Sequence, residues 1–365
     1  MGCCVPEFVA KPNKSNSRCE DHRPIEVPQE EWFDGECYRN HFTHPPLGEG
    51  VLGFFSWLKT RFNNRNITKA VPACVTDLNL GLINNPQEPQ ITWLGHASVL
   101  IQMEKLNILV DPCLVWNPNR YYKKWFYAKR LVPSPIKINK LPRIDAILIT
   151  HNHGDHLDMP ALRSIVKDQE SRLGNIPKFF VPCGLDIWFR KRNIPNPVAV
   201  KWWGKDNSIN GLIIAAAPAQ HWSTRTIVDM NRSHWCGWVL KSQNCCVYVS
   251  GDTGYSNFKG QGIGTCQDFK KIKNDYGPID LAVISVGACY PEWFMCTQHI
   301  TPKQAVEIHK DVGTKRSVAV HWGTFDLSDE FPHQAVPLEL AAACAGASIP
   351  NDDFFILKIG ETRPI

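Results

Sequence analysis

The hydrophobic pattern divides the chain near residue 85. Residues 1–85 are rich in Pro, Asn, Asp and Glu and have few apolar runs, which predicts an N-terminal extension that is partly disordered. From residue 86 onward, short apolar runs recur and predict one β-rich domain of residues 86–365. The predicted strands are Ile91–Trp93, Ser98–Gln102, Ile108–Val110, Ala146–Ile149, Lys178–Val181, Leu212–Ala217, Gly237–Leu240, Cys246–Val249, Leu281–Ile284, Ser317–Val320 and Phe354–Lys358.

Helical patterns lie between these runs. The stretches "HLDMPALRSIVKDQ" and "TPKQAVEIHKDV" both combine polar residues with apolar residues at helical spacing. The first helix is expected to begin near Leu157. In the second, Thr301 can cap the helix and Pro302 suits its first turn. Strands that alternate with helices indicate an α/β protein.

One amphipathic helix is predicted inside the extension, at Val51–Phe62. Phe54, Leu58 and Phe62 repeat at every fourth position, with basic residues beside them. The helix can pack on the main domain, or it can lie on a membrane surface, since both uses share this pattern. The sequence leaves both interpretations open.

Composition narrows the class of protein. The chain has 365 residues, of which 43% are hydrophobic and 21% charged, so it can bury a large core. A net charge of +5 permits an acidic partner without specifying one. The 14 cysteines are scattered without a CxxC pair and without a secretory leader, which predicts reduced thiols in a cytosolic compartment. No apolar stretch reaches the roughly 18 residues that span a bilayer.

The first residues, "MGCCVP", partly match an acylation signal. Gly2 fits N-myristoylation, but Pro6 stands where the motif has Ser or Thr. Cys3 and Cys4 are candidates for palmitoylation. Whether they carry lipid is left open by the sequence.

Clusters of polar residues follow several predicted strands. The loop "ITHNHGDHLD" begins at the end of the strand Ala146–Ile149 and contains three histidines and two aspartates. Three further candidates each follow another apolar run, where a rigid sheet can hold them in place. The candidate metal ligands are His151, His153, Asp155, His156, His221, Asp252 and His321.

These residue types favour a metal site over a lone catalytic base or a solvated polar loop. Neutral imidazoles and carboxylates in one short loop can converge on ions about 2.0–2.2 Å away. The donors exceed the needs of one tetrahedral ion, so the sequence predicts two ions. Asp252, isolated after "VYVSG", is the candidate carboxylate that bridges them.

The order of these residues resembles the metallo-β-lactamase superfamily. The resemblance implies a four-layer αββα sandwich preceded by an N-terminal extension. It also implies that His151, His153 and His221 hold the first metal ion and that Asp155, His156 and His321 hold the second. Asp252 and a hydroxide would then bridge the ions. Asp111, in "LVDP", would orient a ligating histidine from behind.

The sequence segments around the candidate ligands are similar to those of a narrower family, the N-acyl-phosphatidylethanolamine-hydrolysing phospholipases D. They are "TWLGHAS", "LVDP", "SHWCGW", "SGDTGY", "QHITPKQAVEIHKDVGTKRSVAVHWGTF" and "DDFFILKIGE". This resemblance implies a phospholipase D-type phosphodiesterase with two Zn²⁺ ions. Such an enzyme releases an N-acylethanolamine and phosphatidic acid from N-acyl-phosphatidylethanolamine.

The same resemblance implies a setting for the enzyme. It predicts a homodimer that associates peripherally with the cytoplasmic side of intracellular membranes of the Golgi or endosome type. The partner would be a membrane phospholipid, with no nucleic acid. Acyl-chain preference and the particular membrane stay open, and iron or manganese could replace zinc.

Two further positions carry expectations about substrate. His299, in "TQHITP", matches a family residue that contacts the substrate phosphate, so it joins Asp252 and Asp155 as a catalytic candidate; alternatively, it is only the neighbour of a helix cap. Gly154 stands where relatives commonly carry Tyr, beside the substrate headgroup. Its lack of a side chain predicts an altered substrate fit and an easier tight turn between ligands.

A second candidate surface is Trp116–Arg130, which interleaves aromatic and basic residues. Such a segment suits a lipid headgroup layer, single-stranded nucleic acid, or a folded insertion with buried rings. Other functions also stay open: a nuclease, lactonase or thioesterase of the same fold, or a peripheral lipid-binding protein. The last is disfavoured because no ligand position is substituted.

Overall fold

Two seven-stranded β-sheets form the centre of the protein. The structure is a computed structural model that describes residues 32–40, 56–61, 71–117, 129–226, 228–255, 266–328 and 335–365. Its strands are β1 (Gln90–Gly95), β2 (Ser98–Met103), β3 (Leu106–Val110), β4 (Lys129–Arg130), β5 (Ala146–Leu148), β6 (Lys178–Pro182), β7 (Pro197–Val200), β8 (Lys205–Ile209), β9 (Leu212–Ala217), β10 (Gly237–Lys241), β11 (Cys246–Val249), β12 (Ile279–Ser285), β13 (Thr314–Val320), β14 (Phe325–Asp326), β15 (Phe354–Ile356) and β16 (Thr362–Pro364). Its helices include α1 (Leu80–Asn84), α2 (Met159–Leu173), α3 (Leu185–Arg190), α4 (Asp268–Tyr276), α5 (Glu292–Met295), α6 (Pro302–Val312) and α7 (Val336–Gly346).

The sheet topology gathers several strand ends at one side. The first sheet has the order β16-β1-β2-β3-β5-β6-β7, and the second has the order β15-β13-β12-β11-β10-β9-β8. Strands β3, β5, β6 and β7 run parallel, as do β11, β12, β13 and β15. Parallel neighbours end at the same edge, so the loops that follow them lie close together.

Helices cover the outer faces of both sheets. Along β2, Val99 and Ile101 belong to a core shared with the second sheet, whereas Leu100 packs with Leu162 and Ile165 of α2. This alternation is the two-residue period of a strand buried on both faces. The helices α4, α6 and α7 contribute apolar residues to the core around the second sheet. The predicted four-layer αββα sandwich is therefore confirmed.

Local signals set where the two predicted helices begin. The Thr301 hydroxyl accepts from the amide of Gln304, and the Gln304 side chain accepts from the amide of Thr301, so both cap α6. The helix α2 begins at Met159, because the Asp158 carboxylate accepts a hydrogen bond from the Ala161 amide. The predicted start near Leu157 was thus slightly early.

The prediction missed five strands, β4, β7, β8, β14 and β16, and did not name the helices α1, α3, α4, α5 and α7. The sequence of β8 is KDNSI, and this strand lies at a sheet edge with mostly exposed or half-exposed side chains. The helix α7 is so rich in alanine and leucine that it lacks a polar face to give it a helical period. Contacts with neighbouring elements determine the structure of β8 and α7, and the hydrophobic pattern of each segment alone does not predict it.

The described parts of residues 1–85 contact the main domain. The amide of Tyr38 donates to the Asn231 carbonyl over 2.7 Å, and the amide of Ala73 donates to the Gly323 carbonyl over 2.9 Å. Residues 56–61 are helical, and the indole of Trp57 stacks on Phe294 with 5.2 Å between ring centroids. The domain boundary near residue 85 stays a prediction.

Parts of both candidate membrane surfaces lie outside the described residues. These are residues 51–55 and 62 of the predicted amphipathic helix, and residues 118–128 of the segment Trp116–Arg130. Within the described part of the helix, Trp57 and Arg61 are buried against the domain. Among the described residues, no helix is long and apolar enough to cross a membrane.

Candidate metal centre

The histidine-rich loop after β5 is held between the two sheets. The carbonyl of Thr150 accepts a hydrogen bond from the Cys236 amide over 2.9 Å. Gly251 follows β11 with φ +60°, and a Cβ there would lie 3.0 Å from the Thr150 Cβ. Glycine is therefore needed at this position, and the close approach places Asp252 beside the histidine loop.

One group of three imidazoles joins this loop to the end of β9. His151 Nε2 lies 2.8 Å from His153 Nδ1, and the same His153 atom lies 3.2 Å from His221 Nε2. His151 and His221 are buried. Their three ring nitrogens therefore converge on one point.

A second group joins the same loop to the end of β13. His156 Nε2 lies 3.1 Å from His321 Nε2. Asp155 Oδ2 lies 3.8 Å from His156 Nε2 and 3.9 Å from His321 Nε2. His321 holds this position with φ +71°, a backbone conformation that residues other than glycine rarely adopt.

Asp252 lies between the two groups. Its carboxylate oxygens are each 3.2 Å from one histidine of the second group, Oδ2 from His156 Nε2 and Oδ1 from His321 Nε2. Asp252 Oδ2 is also 3.9 Å from His151 Nε2 and 3.8 Å from His221 Nε2. One carboxylate thus faces both sets of ring nitrogens.

Hydrogen bonds at the backs of the rings fix which nitrogen faces the centre. His221 Nδ1 donates to the Gln298 carbonyl over 3.0 Å, and His156 Nδ1 donates to Asp111 Oδ2 over 2.8 Å. The Thr150 hydroxyl also donates to Asp111 Oδ2, over 2.6 Å. In a neutral ring whose Nδ1 carries the proton, Nε2 keeps a free lone pair. This donor set of imidazole nitrogens and carboxylates fits a metal ion.

The charges of the centre also favour a cation. Although burial alone would lower the pKa of His156, the carboxylates of Asp252, Asp155 and Asp111 raise it well above its usual value, so this ring would release a proton when its Nε2 binds a metal ion. Burial alone would raise the pKa of Asp252, but the charges of His156 and His321 hold it well below its usual range. The carboxylates therefore stay ionised inside a buried site, and a bound cation can neutralise them.

His299 lies at the rim of the centre, beyond the end of α5. Its Nδ1 is 3.9 Å from Asp252 Oδ2. Burial lowers the pKa of His299 to about 4, so its imidazole is neutral near pH 7. A neutral ring can donate one N–H hydrogen bond.

Gly154 lies in the turn between His153 and Asp155, but its backbone does not need glycine. Its φ lies outside the left-handed region, so other residues can adopt this backbone conformation. A Cβ on Gly154 would instead lie 3.0 Å from the indole nitrogen of Trp116. The neighbouring ring restricts this position.

Sequence reasoning missed His96, which lies in the turn between β1 and β2. His96 Nε2 is 2.9 Å from Asp155 Oδ2, and the His96 ring centroid is 3.9 Å from that of His321. The His96 carbonyl accepts from the His321 amide over 2.9 Å and from the Trp93 indole over 2.8 Å. A polar histidine between two apolar strands, in "WLGHAS", was the available signal.

Arg225 was also missed. Its Nη1 donates to the Asn152 carbonyl over 3.0 Å and to the Leu157 carbonyl over 2.8 Å. Three candidate ligands, His153, Asp155 and His156, lie between these two carbonyls. One guanidinium group therefore links two backbone positions of the histidine loop. No local sequence pattern could indicate this contact.

Comparison with known proteins identifies the family. Residues 106–322 match the family model described as the Beta-lactamase superfamily domain. The chain therefore belongs to the β-lactamase superfamily, as the order of its candidate ligands predicted. Igni18, a metallo hydrolase from the archaeon Ignicoccus hospitalis, has the same fold. It is 21% identical with a TM-score of 0.53 over 75% of this chain and 97% of that chain.

Within the superfamily, the chain is similar to proteins named N-acyl-phosphatidylethanolamine-hydrolyzing phospholipase D. The protein with this name and the number 1 in Caenorhabditis elegans is 37% identical over 65% of this chain and 64% of its own length. The mitochondrial protein of this name in Saccharomyces cerevisiae is 33% identical over 74% of this chain and 55% of its own length. The chain thus spans less than two thirds of each of these relatives.

Proposed function

We propose that the protein is a zinc-dependent phospholipase D-type hydrolase. Its substrate would be N-acyl-phosphatidylethanolamine, and its products would be an N-acylethanolamine and phosphatidic acid. The observation that carries the proposal is the convergence of imidazole and carboxylate groups on both sides of Asp252. The substrate class rests on the similarity to two proteins named for this activity.

The two groups of side chains suit two metal ions. The first ion would be held by His151, His153 and His221, the second by Asp155, His156 and His321, and both by Asp252. Zinc fits these nitrogen and oxygen donors, as do iron and manganese. Metal analysis of the purified protein decides among them.

Several residues of the chain would contribute to the cleavage of a phosphodiester bond. When bound, two metal ions lower the pKa of a water molecule and neutralise charge on phosphoryl oxygens. His299, neutral and at the rim, would donate a hydrogen bond to a phosphoryl oxygen of the substrate. Asp252 stays ionised and fixes the distance between the two groups of ligands. The buried rings around it keep bulk water out, which strengthens these electrostatic contacts.

A lipid substrate requires contact with a membrane surface. The loop after His221 carries Val228 and Met230, which are 63% and 53% exposed. Before His299, the helix α5 carries Trp293, which is 44% exposed. Exposed apolar side chains on the loops that supply His221 and His299 support peripheral membrane association. We extend the proposal to a homodimer on the cytoplasmic side of intracellular membranes, as the family resemblance implies.

The test is lipid turnover with and without metal. Vesicles containing N-acyl-phosphatidylethanolamine are incubated with the purified protein, with the chelated protein, and with the chelated protein after zinc is restored. We expect release of N-acylethanolamine in the first and third samples and about two zinc ions per chain.

Other outcomes separate the alternatives. A metal-replete protein that leaves the lipid intact but cleaves a phosphodiester nucleotide, a lactone or a thioester would be a different hydrolase of this fold. Binding to the vesicles without turnover of any of these substrates would indicate a lipid-binding protein. Either result overturns the proposal.

A further inference from the structure

Residues 32–40 of the N-terminal extension reach the candidate metal centre. The side-chain amide of Asn40 donates to the His221 carbonyl over 3.0 Å, and the His221 amide donates to Asn40 Oδ1 over 3.0 Å. The Trp235 indole also donates to Asn40 Oδ1, over 3.2 Å. One side chain thus pairs with both backbone groups of a candidate ligand 181 positions away.

This contact lies where the sheet no longer supports the backbone. The strand β9 ends at Ala217, and His221 lies beyond it in a loop. The His221 ring is oriented by the bond from its Nδ1 to the Gln298 carbonyl. The backbone pair with Asn40 restrains the other end of the residue, so the direction of Nε2 depends on both contacts.

The extension has its own anchors, independent of Asn40. The Tyr38 ring stacks on His234 with 4.6 Å between centroids, and His234 packs on Trp202 at 4.0 Å. The Tyr38 amide donates to the Asn231 carbonyl. Replacing the Asn40 side chain should therefore leave residues 32–39 in place.

We propose that Asn40 is a positioning residue for the metal ion held by His151, His153 and His221. The inference rests on the proposed metal binding and adds that the extension builds part of the first site. Loss of the amide would let the His221 backbone move and would weaken this ion. The second group, Asp155, His156 and His321, has no contact with Asn40 among the described residues, so its ion should be unaffected.

The test is a metal titration of the full chain. Wild type, Asn40→Leu and Asn40→Ser are stripped of metal and titrated with zinc against a competing chelator. A His221→Ala variant identifies which binding step belongs to the first site. We expect both Asn40 variants to weaken that step about tenfold or more and to leave the other step unchanged.

A matched control separates positioning from a general loss of stability. Asn107 on β3 also uses its amide in two hydrogen bonds, to the Arg143 carbonyl and from the Gln102 side chain. Asn107→Leu should change the thermal midpoint of the metal-free protein but neither binding step. If Asn40→Leu and Asn40→Ser match Asn107→Leu in both steps, the inference is overturned. A wild-type chain that binds no zinc would instead overturn the proposed function.

Discussion

The indole of Trp116 lies against Gly154 in the histidine loop. A Cβ built on Gly154 would be 3.0 Å from the indole Nε1 and 3.3 Å from Cε2. Two contacts hold this ring in place. The backbone amide of Trp116 donates to the Asp158 carboxylate, and the indole packs edge-to-face with Phe325, with 5.0 Å between ring centroids. The position of the tryptophan ring therefore limits the size of the residue that can stand at position 154.

The first prediction concerns this pair. Gly154→Tyr should displace the Trp116 ring, because overpacking a tight contact costs about 1–3 kcal/mol. We expect the KM for lipid to change more than the metal content, because the substitution adds bulk between two ligands but replaces neither of them. KM and zinc content should be measured for Gly154→Tyr, Trp116→Ala and the double variant.

The double variant tests the physical reason. If the ring is what excludes a larger residue, Trp116→Ala should recover much of the loss that Gly154→Tyr causes, and the two effects will not add. Additive effects, or unchanged kinetics in Gly154→Tyr, would contradict this explanation.

The second prediction concerns His96. His96→Phe removes the hydrogen bond to Asp155 Oδ2, so the carboxylate loses the partner that orients it. We expect about 10–100-fold weaker binding of the second metal ion, measured by competition with a chelator. His96→Gln retains an N–H donor and should recover part of this affinity.

His309 provides the control for His96. It is also buried, with its Nδ1 2.8 Å from the Ser317 hydroxyl, but it lies on α6 outside the ligand cluster. His309→Phe should leave both metal affinities unchanged. Equal losses in the His96 and His309 variants would show that packing alone explains the effect.

The core of the site could be predicted from the sequence because every candidate ligand lies in a short polar segment that follows an apolar run. His221, Asp252 and His321 all stand just beyond such a run, and strand ends determine where they meet. His96 and Asn40 lie in a turn and in the extension, and their roles depend on contacts across the fold. The same limit applies to Gly154, where the residue pattern suggested a turn and a distant ring sets the constraint.

The third prediction concerns Asp252. Asp252→Asn keeps the shape of the side chain but removes the negative charge that faces both groups of ring nitrogens. We expect lipid turnover to fall by about 100-fold or more and at most one zinc ion to remain per chain. Asp280→Asn, on β12 and paired with Lys315, is the control and should keep both properties. Full zinc content with full activity in Asp252→Asn would rule out a bridging role.

The fourth prediction concerns the exposed indole of Trp293. Trp293→Ser should lower turnover of lipid in vesicles several-fold while sparing a short-chain substrate dissolved in water, because only the first requires contact with a membrane. Leu338, 61% exposed on α7, gives a matched control in Leu338→Ser. Equal turnover of vesicles by wild type and Trp293→Ser would remove this residue from the membrane contact.

The last prediction concerns stability in acid and the buried His234. Burial lowers the pKa of His234 from 6.5 to about 3, and the ring is enclosed between Tyr38 and Trp202. Between these two pKa values the unfolded chain binds a proton that the folded chain does not, so stability falls as the pH drops below about 6.5. One pH unit below that value, at about pH 5.5, this residue alone should cost the folded state about 1.4 kcal/mol relative to about pH 7.5.

The variant His234→Phe retains the stacking and cannot titrate. Over the same pH range, its free energy of unfolding should therefore fall by about 1.4 kcal/mol less than that of the wild type. Urea unfolding of both chains in excess chelator measures the difference, and parallel losses would mean that His234 is not buried as a neutral ring.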